Sequence, residues 1–486
     1  MTHLHPLRAA VLGIVAFLGA STTASADVGE LLDRLNDHNS IKGTESSKGW
    51  RTLFDAYLDL SKPPRAISAE FNLETIWPGM SGWSEVEAWA KDNPGMTEAI
   101  IEASQQTIIG LPYGSQNVPA TYQQKGIMVE IWSKGNVRNN NFQYLDALRE
   151  ILAYSTAETY RLYEAGESQK AIDLSVAQLW LLRKFCDRDF LVEKRTCMEL
   201  LIVSLENMRD CFYSYADRID AEQFRHIAQK EIPFLRTDRS RLFIPEADRI
   251  VAEEIFEQVF DPTTGDAQGE RFMEVFTEIQ AVDEPLGRFG AGRRWVELSE
   301  LHGGLPATKE RLQNIFDDWW RRWRIREYSS MLGLETEYDK TNPTRYASVL
   351  FIVDDIMDLF ELRNMLLNET RGTIVAAALC SYRAARGRFP AKMVALFPDP
   401  LSKQQSVDVF NESLGLMEYR YLNDRRAVFI GVDRVWLEPG NCIVYSLGPN
   451  LENDSRESGT TTHGPDDDLL YWPPAKALVR GQQERR

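Results

Sequence analysis

Thr373-Ile-Val-Ala-Ala-Ala-Leu-Cys-Ser-Tyr-Arg-Ala-Ala-Arg386, followed by Gly387-Arg-Phe-Pro390, is the stretch that decides the fold of the C-terminal part of this chain. Its apolar residues recur at helical spacing and predict a helix with one buried face. Gly387 suits the left-handed residue that ends many helices, and Pro390 cannot continue one. We therefore expect a helix that ends at about residue 386.

Short strands are predicted after this helix. Glu418-Tyr-Arg-Tyr-Leu422 alternates as a half-buried strand, Asn423-Asp424 predicts a turn, and Val428-Phe-Ile430 predicts the returning strand of a hairpin. Cys442-Ile-Val-Tyr-Ser-Leu447 predicts a further strand. The expected C-terminal module is a helix that covers a small antiparallel sheet.

Long helices are predicted before it, from Asn141 to about Glu231. Tyr163-Glu-Ala-Gly-Glu-Ser-Gln-Lys-Ala-Ile-Asp-Leu174 resembles the turn of a tetratricopeptide-type hairpin, in which Gly166 lets the chain reverse. No regular 34-residue period accompanies it. The predicted fold class is therefore mainly α, an irregular αα-hairpin (TPR-like) array followed by a small α+β module.

The remaining pattern divides the chain into regions. Helices are expected near 94–101, 246–260, 269–281, 307–332 and 344–386, with a glycine-rich loop at 282–306. The predicted division is a signal peptide at 1–26, an N-terminal helical and irregular region at 27–140, the helical array at 141–340, a long helix with the α+β module at 341–472, and a polar tail at 473–486.

The composition is ordinary for a globular protein large enough for several domains. The chain has 486 residues, of which 43% are hydrophobic and 26% charged, and its net charge is -17. A field of this sign repels phosphate backbones, so we do not expect nucleic acid as a partner.

The N-terminus predicts an export signal. Three basic residues or histidines precede the apolar run 9–20, and Ala24-Ser25-Ala26 offers small residues for cleavage before Asp27. The apolar run is shorter than a transmembrane helix needs. We expect an exported bacterial protein, periplasmic or extracellular, that does not span a membrane after cleavage.

The sequence carries few residues for known catalytic motifs. It has no Gly-x-Ser-x-Gly, no His-Glu-x-x-His and no Walker loop, and only His38, His226, His302 and His463 follow the predicted signal. Five cysteines include no Cys-x-x-Cys, and we interpret most of them as small buried apolar side chains. The pattern favours a protein that is not an enzyme.

The C-terminal stretch resembles the globular domain of the major pseudopilin of type II secretion systems. The matching pieces are Tyr382-Arg-Ala-Ala-Arg-Gly-Arg-Phe-Pro390, Asp399-Pro400, Tyr419-Arg-Tyr421, Tyr445-Ser-Leu-Gly448 and Asp466-Asp-Asp-Leu-Leu-Tyr-Trp472. In that family the loop between the last two pieces binds calcium. The resemblance implies that the ligands here are the Leu447 carbonyl, Asn450, Asp466 and Asp468, with Asp454 as a further donor.

Calcium is chemically suited to this loop, because it takes several oxygen ligands without rigid geometry. Ion binding would also relieve repulsion among Asp466, Asp467 and Asp468. The alternative is a solvated acidic loop without an ion. Asn450 stands where the family has Asp, and the long apolar helix that follows a pseudopilin leader is missing, so we do not expect a pilus subunit. The whole chain looks like exported proteins that join a helical region to a pseudopilin-like end.

Asp317-Asp-Trp-Trp-Arg-Arg-Trp-Arg-Ile-Arg326 is the densest aromatic and basic run of the chain. Such residues bind glycans, peptides or anionic groups. The candidate binding residues are Trp319, Trp320, Trp323, Arg321, Arg322 and His302. Helical spacing also explains Trp319 and Trp323 as members of a core stripe, which is the interpretation we favour. A second basic patch, Arg236, Arg239 and Arg241, lies in the break between Pro233 and Pro245.

The sequence leaves two functional hypotheses. The first is an exported, non-catalytic binding or scaffold protein with a protein partner and a calcium-stabilised C-terminal module, associated with secretion or envelope machinery. The alternative is an envelope hydrolase with its site in the groove of the helical domain, near His302 and the Trp319 to Trp323 run. A buried carboxylate with a raised pKa in that groove would favour the enzyme, and a broad apolar patch would favour a protein partner.

Overall fold

The computed structural model describes residues 21–68, 71–131, 140–283, 290–325, 331–411, 413, 415–430, 433–450 and 468–483. Within them the chain is mainly helical, with a small antiparallel sheet near its C-terminal end, as the sequence predicts. The α-helices are α1 Ser21–Asn36, α2 Trp50–Asp59, α3 Arg65–Ser68, α4 Trp83–Lys91, α5 Pro94–Gln105, α6 Ala120–Gln123, α7 Tyr144–Glu164, α8 Ser168–Phe185, α9 Leu191–Ser214, α10 Ala221–His226, α11 Ala247–Val259, α12 Gly269–Asp283, α13 Ala291–Leu301, α14 Leu305–Arg324, α15 Ala347–Ile352, α16 Met357–Arg386 and α17 Ala475–Gln483. The strands are β1 Glu418–Tyr421, β2 Arg426–Ile430, β3 Asp433–Leu437, β4 Cys442–Ser446 and β5 Leu469–Trp472.

The helices α7, α8 and α9 form the central layer. The chain reverses between α7 and α8 at Gly166, whose φ of 77° is accessible to glycine at little cost. Polar side chains join the layer from inside, since Gln178 donates to the Ser204 hydroxyl at 2.8 Å and the Tyr160 hydroxyl donates to Asp210 at 2.6 Å. The three helices therefore form a packed layer that is joined by polar as well as apolar contacts.

Several predicted boundaries need correction. The stretch predicted as a loop at 282–306 contains α13, because Trp295 and Ser299 bury one face of a regular helix. The helix predicted to reach residue 332 ends at Arg324. The helix predicted over 344–386 is interrupted at 353–356 and becomes α15 and α16.

The C-terminal module contains the predicted helix and sheet with a different strand pairing. Gly387 ends α16 with a φ of 72°, as expected for a left-handed cap. β1 pairs antiparallel with β4, and β4 pairs with β5, whereas β2 pairs with β3 in a separate two-stranded sheet. The predicted hairpin of β1 with the returning strand is therefore wrong, because β3 supplies the partner that β2 needs.

The C-terminal module packs directly on the central layer. The Arg209 guanidinium on α9 lies 2.6 Å from the Glu369 carboxylate on α16 and 5.2 Å from the centre of the Tyr471 ring on β5. One hydrophobic core continues from Leu31 to Trp472 across these contacts. All five cysteines are buried free thiols, which agrees with our interpretation of them. No helix among the described residues is both long and apolar enough to cross a bilayer.

Candidate functional site

A cavity of about 770 Å³ lies among residues from several segments, and we call it the α1–α14 cavity. It lies where the end of α1, the connection between α8 and α9, the segment before α11 and the end of α14 meet. Segments far apart in sequence thus form one site. The lining residues are Arg34, Asp37, His38, Asn39, Ser40, Thr107, Ile108, Ile109, Lys184, Asp187, Asp189, Arg239, Ser240, Phe243, Ile244, Glu246, Ile250, Trp320, Trp323 and Arg324.

Aromatic side chains give this cavity apolar wall area. Phe243 is 58% exposed and Trp320 is 42% exposed, which is unusual for side chains of this size. The Arg324 guanidinium lies 3.8 Å from the centre of the Trp320 ring, within the range of a cation–π contact. Trp323 is buried and is held by a hydrogen bond from its indole nitrogen to the Leu242 carbonyl at 2.6 Å. One wall therefore offers aromatic surface beside a cation.

A buried polar network fixes the opposite wall. The Arg188 guanidinium and the Glu193 carboxylate are fully buried and lie 2.8 Å apart. The hydroxyls of Tyr113 and Tyr144 donate to the same carboxylate at 2.7 and 2.8 Å. Because every partner is itself buried, breaking one contact would leave a charge unsatisfied. The network thereby fixes the turn between α8 and α9, which carries Asp189.

A histidine and a carboxyl group lie side by side in the cavity. His38 Nε2 is 3.6 Å from Asp189 Oδ1, and His38 Nδ1 is 2.9 Å from the Ser40 hydroxyl. Burial raises the pKa of Asp189 to about 7, although Lys194 and the Glu246 amide oppose the rise. Burial, with the nearby cations Lys194 and Arg188, lowers the pKa of His38. Asp189 can therefore exchange a proton near neutral pH, and the neutral form of His38 is favoured.

The carboxylates on the rim already have partners outside the cavity. Asp37 pairs with Lys42 at 2.5 Å, Asp187 pairs with Arg183 at 2.8 Å, and Glu246 pairs with Arg249 at 2.7 Å. These three bases do not line the cavity. Arg34 on the same rim is likewise paired, with Glu253 outside the cavity at 2.6 Å, so most of the rim charges are balanced. Arg324 lies beside the aromatic wall.

Lys184 on α8 is one of the basic residues that line the cavity. Its ammonium group donates to the carbonyls of Ser104 and Gln106, and burial lowers the pKa of Lys184 to about 8. This lysine holds the connection after α5 against α8. It remains mostly protonated at neutral pH and adds to the positive potential of the cavity.

The candidate binding residues predicted from the sequence separate into two groups. Trp320 and Trp323 line the cavity, whereas Trp319 is fully buried and packs 5.7 Å from the Tyr338 ring. Arg322 is buried and pairs with Asp318 at 2.8 Å. Arg321 is exposed and donates to the Asp317 carbonyl at 3.1 Å.

His302 has a packing role in a different place. Its ring lies 5.5 Å from the Phe260 ring and 5.2 Å from the Phe272 ring, and its Nε2 is 2.9 Å from the Ser348 hydroxyl. Burial lowers the pKa of His302, so the ring is neutral in this setting. It does not line the α1–α14 cavity, and the structure does not bring it together with Trp320.

The predicted calcium ligands are only partly described. Asp454 and Asp466 lie outside the described residues, while Leu447 and Asn450 follow β4 and Asp468 precedes β5. Ser446 pairs with Leu469, so the two ends of the loop lie side by side, and the Asp468 side chain is buried. Among the residues that the structure describes, no cluster of three or more His, Cys, Asp or Glu is arranged to hold a metal.

Sequence reasoning missed the pairing of His38 with Asp189. His38 is one of the few histidines in the chain, but 151 residues separate it from Asp189 (189 − 38) and no local pattern links the two positions. The available signal is compositional: Arg188-Asp189 and Glu193-Lys194 place four charges within seven residues at a helix start. Such charges are rarely buried unless they are paired.

Comparisons with known proteins add no family to this geometry. No protein-family model, no curated protein and no solved structure matches the chain.

Proposed function

We propose that the protein is a binding protein whose α1–α14 cavity holds an amphipathic organic anion, a molecule with an aromatic or branched apolar part and an acidic group. The observation that carries this proposal is the exposed Trp320 ring with the Arg324 guanidinium stacked on it at 3.8 Å inside a cavity of about 770 Å³. Cavities of several hundred cubic ångströms are the size that small-molecule ligands occupy.

The cavity offers apolar wall area next to a positively charged group, which suits this class of ligand. Phe243 and Trp320 provide apolar area that water now covers, and Arg324 lies beside them. The rim carboxylates are neutralised by bases outside the cavity. An anion with an apolar group would satisfy both features, although the net charge of -17 slows its long-range approach.

The direct test is equilibrium binding of 8-anilinonaphthalene-1-sulfonate, an aromatic anion, followed by its fluorescence. We expect Trp320→Ala and Arg324→Gln each to weaken binding by roughly tenfold, the effect of about 1.4 kcal/mol. Trp436→Ala is the matched control, because Trp436 on β3 is also 42% exposed but lies outside the cavity. Equal binding by all four proteins would refute the proposal.

The second candidate function is hydrolysis in the same cavity, with His38 as general base. It is favoured by the buried Asp189 beside His38, the feature that the sequence analysis named in favour of an enzyme. Ser40 is buried and bonds Nδ1, whereas the serine of a catalytic triad bonds Nε2. We therefore assign His38 to the activation of a water molecule and give Ser40 a positioning role.

Hydrolysis is tested with a panel of chromogenic p-nitrophenyl esters and phosphate esters. If neutral His38 and ionised Asp189 are both needed, the rate rises with pH through about 7, because Asp189 loses its proton last. Asp189→Asn cannot ionise, so it should lower the rate at every pH and remove the limb at about 7, and His38→Gln should abolish the rate. Turnover that survives His38→Gln would exclude this mechanism.

For the C-terminal module we propose a pseudopilin-like fold with a calcium ion between the ends of the loop 447–468, in an exported protein with a TPR-like helical array and a protein partner. The side-by-side placement of Leu447 and Asp468 supports it, since a single ion could take oxygens from both ends. The buried Asp468 side chain fits such a role, because a buried carboxylate favours a cation nearby. Its calcium dependence is the measurement that tests this proposal.

A further inference from the structure

A second cavity, of about 760 Å³, lies on the other side of the segment that borders the α1–α14 cavity. We call it the arginine cavity. Its walls are the segment 233–240, one face of α16 and the segment 404–409. Arg239 and Ser240 line both cavities, so the segment that contains the predicted basic patch separates them.

Three arginines line this cavity: Arg236, Arg239 and Arg371. Leu367, Ile374, Val407 and Val409 form its aliphatic part, and no aromatic residue belongs to the lining that is described. The Arg371 guanidinium is oriented by a hydrogen bond from Nη1 to the Val407 carbonyl at 3.0 Å. Thr237 and Thr370 are linked through their hydroxyls at 2.9 Å. The described lining therefore combines aliphatic side chains with hydroxyl and guanidinium groups.

Arg236 is the most distinctive of the three. Its backbone has a φ of 52°, in the left-handed region that non-glycine residues rarely adopt. The Arg236 carbonyl accepts a hydrogen bond from Arg183 Nε at 3.4 Å, which helps to hold this conformation. Its side chain is exposed, and no carboxylate among the described residues pairs with its guanidinium. The strained backbone therefore holds a cation at the cavity for which the described residues provide no counter-ion.

The one carboxylate in the described lining, Asp238, accepts hydrogen bonds from within its own turn. Asp238 Oδ1 accepts hydrogen bonds from the Ser240 amide, at 2.9 Å, and from the Ser240 hydroxyl. Burial opposes ionisation of Asp238, but the Ser240 hydrogen bonds outweigh it and the pKa of Asp238 is lowered. The described lining thus contains one acidic and three basic side chains, in a protein whose overall charge is -17. It is therefore richer in basic side chains than the chain as a whole.

From this geometry we infer that the arginine cavity binds a compact oxyanion, of the class of phosphate, sulfate or a small polycarboxylate. The planar guanidinium fork matches such oxygens and forms two parallel hydrogen bonds with them. The absence of aromatic surface in the described lining distinguishes this ligand from the amphipathic anion proposed for the α1–α14 cavity. The inference does not depend on that proposed function.

Isothermal titration of the full chain with inorganic phosphate and, in a separate arm, with citrate tests this inference. Both titrations use sodium chloride to keep the ionic strength constant, because weak anion binding is screened by salt. We expect at least one of the two anions to bind, and the stronger arm identifies the charge and shape preferred. Heat of binding in neither arm at millimolar concentration would overturn the inference.

The variants separate the cavity from the general basic surface. Arg236→Gln removes the exposed guanidinium and should weaken binding at least tenfold, since hydrogen bonds to charged groups are strong. Arg241→Gln is the matched control, because Arg241 is an exposed arginine of the same segment that lines neither cavity. Arg371→Gln is a second test within the lining. Equal weakening by Arg236→Gln and Arg241→Gln would assign the effect to surface charge and overturn the site.

Discussion

Asp189 and His38 illustrate how burial sets the chemistry of single side chains in this protein. Asp189 is 4% exposed, and its pKa of about 7 lies well above the ordinary value of 3.8. His38, 3.6 Å away, has a lowered pKa. Burial thus disfavours the charged form of both groups, and Lys184 and Arg324 contribute positive charge to the α1–α14 cavity.

The buried carboxyl predicts how stability depends on pH. Below pH 3.8 Asp189 is protonated in the folded and in the unfolded protein; between 3.8 and about 7 only the folded protein keeps the proton. Its contribution is therefore fully present at low pH and is lost as pH rises through about 7. In denaturant unfolding, the free energy of unfolding of Asp189→Asn should rise relative to that of the wild type between pH 4 and pH 8. The relative increase should be roughly 1.4 kcal/mol per unit of difference between the folded and unfolded pKa values of Asp189.

The control for this measurement is Asp37→Asn, which removes an exposed carboxylate from the rim of the same cavity. It should keep the pH dependence of the wild type. Parallel curves for Asp189→Asn and the wild type would show that the Asp189 carboxyl does not retain its proton in the folded protein.

Gly372 gives a prediction about packing between α16 and β5. A Cβ atom at this position would lie 2.3 Å from Tyr471 Cδ1, and the Tyr471 ring is fully buried. Gly372→Ala should lower the free energy of unfolding by about 1–3 kcal/mol, the usual cost of overpacking. Gly29→Ala in α1, with no atom near the added Cβ, should be neutral or stabilising by up to about 1 kcal/mol. Chemical denaturation measures both, and an unchanged Gly372→Ala would contradict the close approach.

At the scale of elements, the helices were more predictable than the sheet. The end of α16 at Gly387 is predictable from the local sequence, because a glycine readily adopts the left-handed conformation that caps and ends a helix. The predicted core stripe of α14 is confirmed, with Leu312, Ile315, Phe316, Trp319 and Trp323 all buried. Helix formation depends on residues three or four apart, which a single sequence displays directly.

The strand pairing was less predictable because partners can be distant in sequence. Glu418 pairs with Tyr445, 27 residues away (445 − 418), whereas the hairpin signal pointed to the next strand. The alternation of apolar and polar residues identifies each short strand, but it does not determine which other strand it pairs with. The helix α13 was missed since the glycines around it favoured a loop.

The loop between β4 and β5 carries the prediction about calcium. If the ion binds there, a thermal melt with millimolar calcium should show a higher midpoint than one with chelator, because a ligand of the native state stabilises it. Asp466→Asn with Asp468→Asn should remove the difference, and Asp424→Asn, in the turn after β1, should keep it. A wild-type midpoint that ignores calcium would mean an acidic loop without an ion.

At the scale of the whole molecule, the candidate site exists only because distant segments meet. Five segments, 34–40, 107–109, 184–189, 239–250 and 320–324, supply its lining. Sequence analysis found Trp320 and Trp323, since an aromatic and basic run is conspicuous within one helix. It also grouped them with Trp319, Arg322 and His302, whose burial and packing depend on tertiary contacts that no local pattern contains.

The two cavities also explain why the overall charge is a poor guide to the ligands. The chain carries a net charge of -17, yet both cavities present guanidinium groups, and Arg239 lines both. Composition therefore indicates which large polyanions are repelled, while local placement decides which small anions bind.

An amphipathic anion that binds in the α1–α14 cavity should protect the backbone amides around that cavity. Hydrogen–deuterium exchange of the full chain, with and without saturating 8-anilinonaphthalene-1-sulfonate, tests it. We predict slower exchange in peptides covering 36–40, 239–246 and 320–324, and unchanged exchange in the strands β2 and β3, which carry Trp436. Protection of β2 and β3 with none around the cavity would contradict the account.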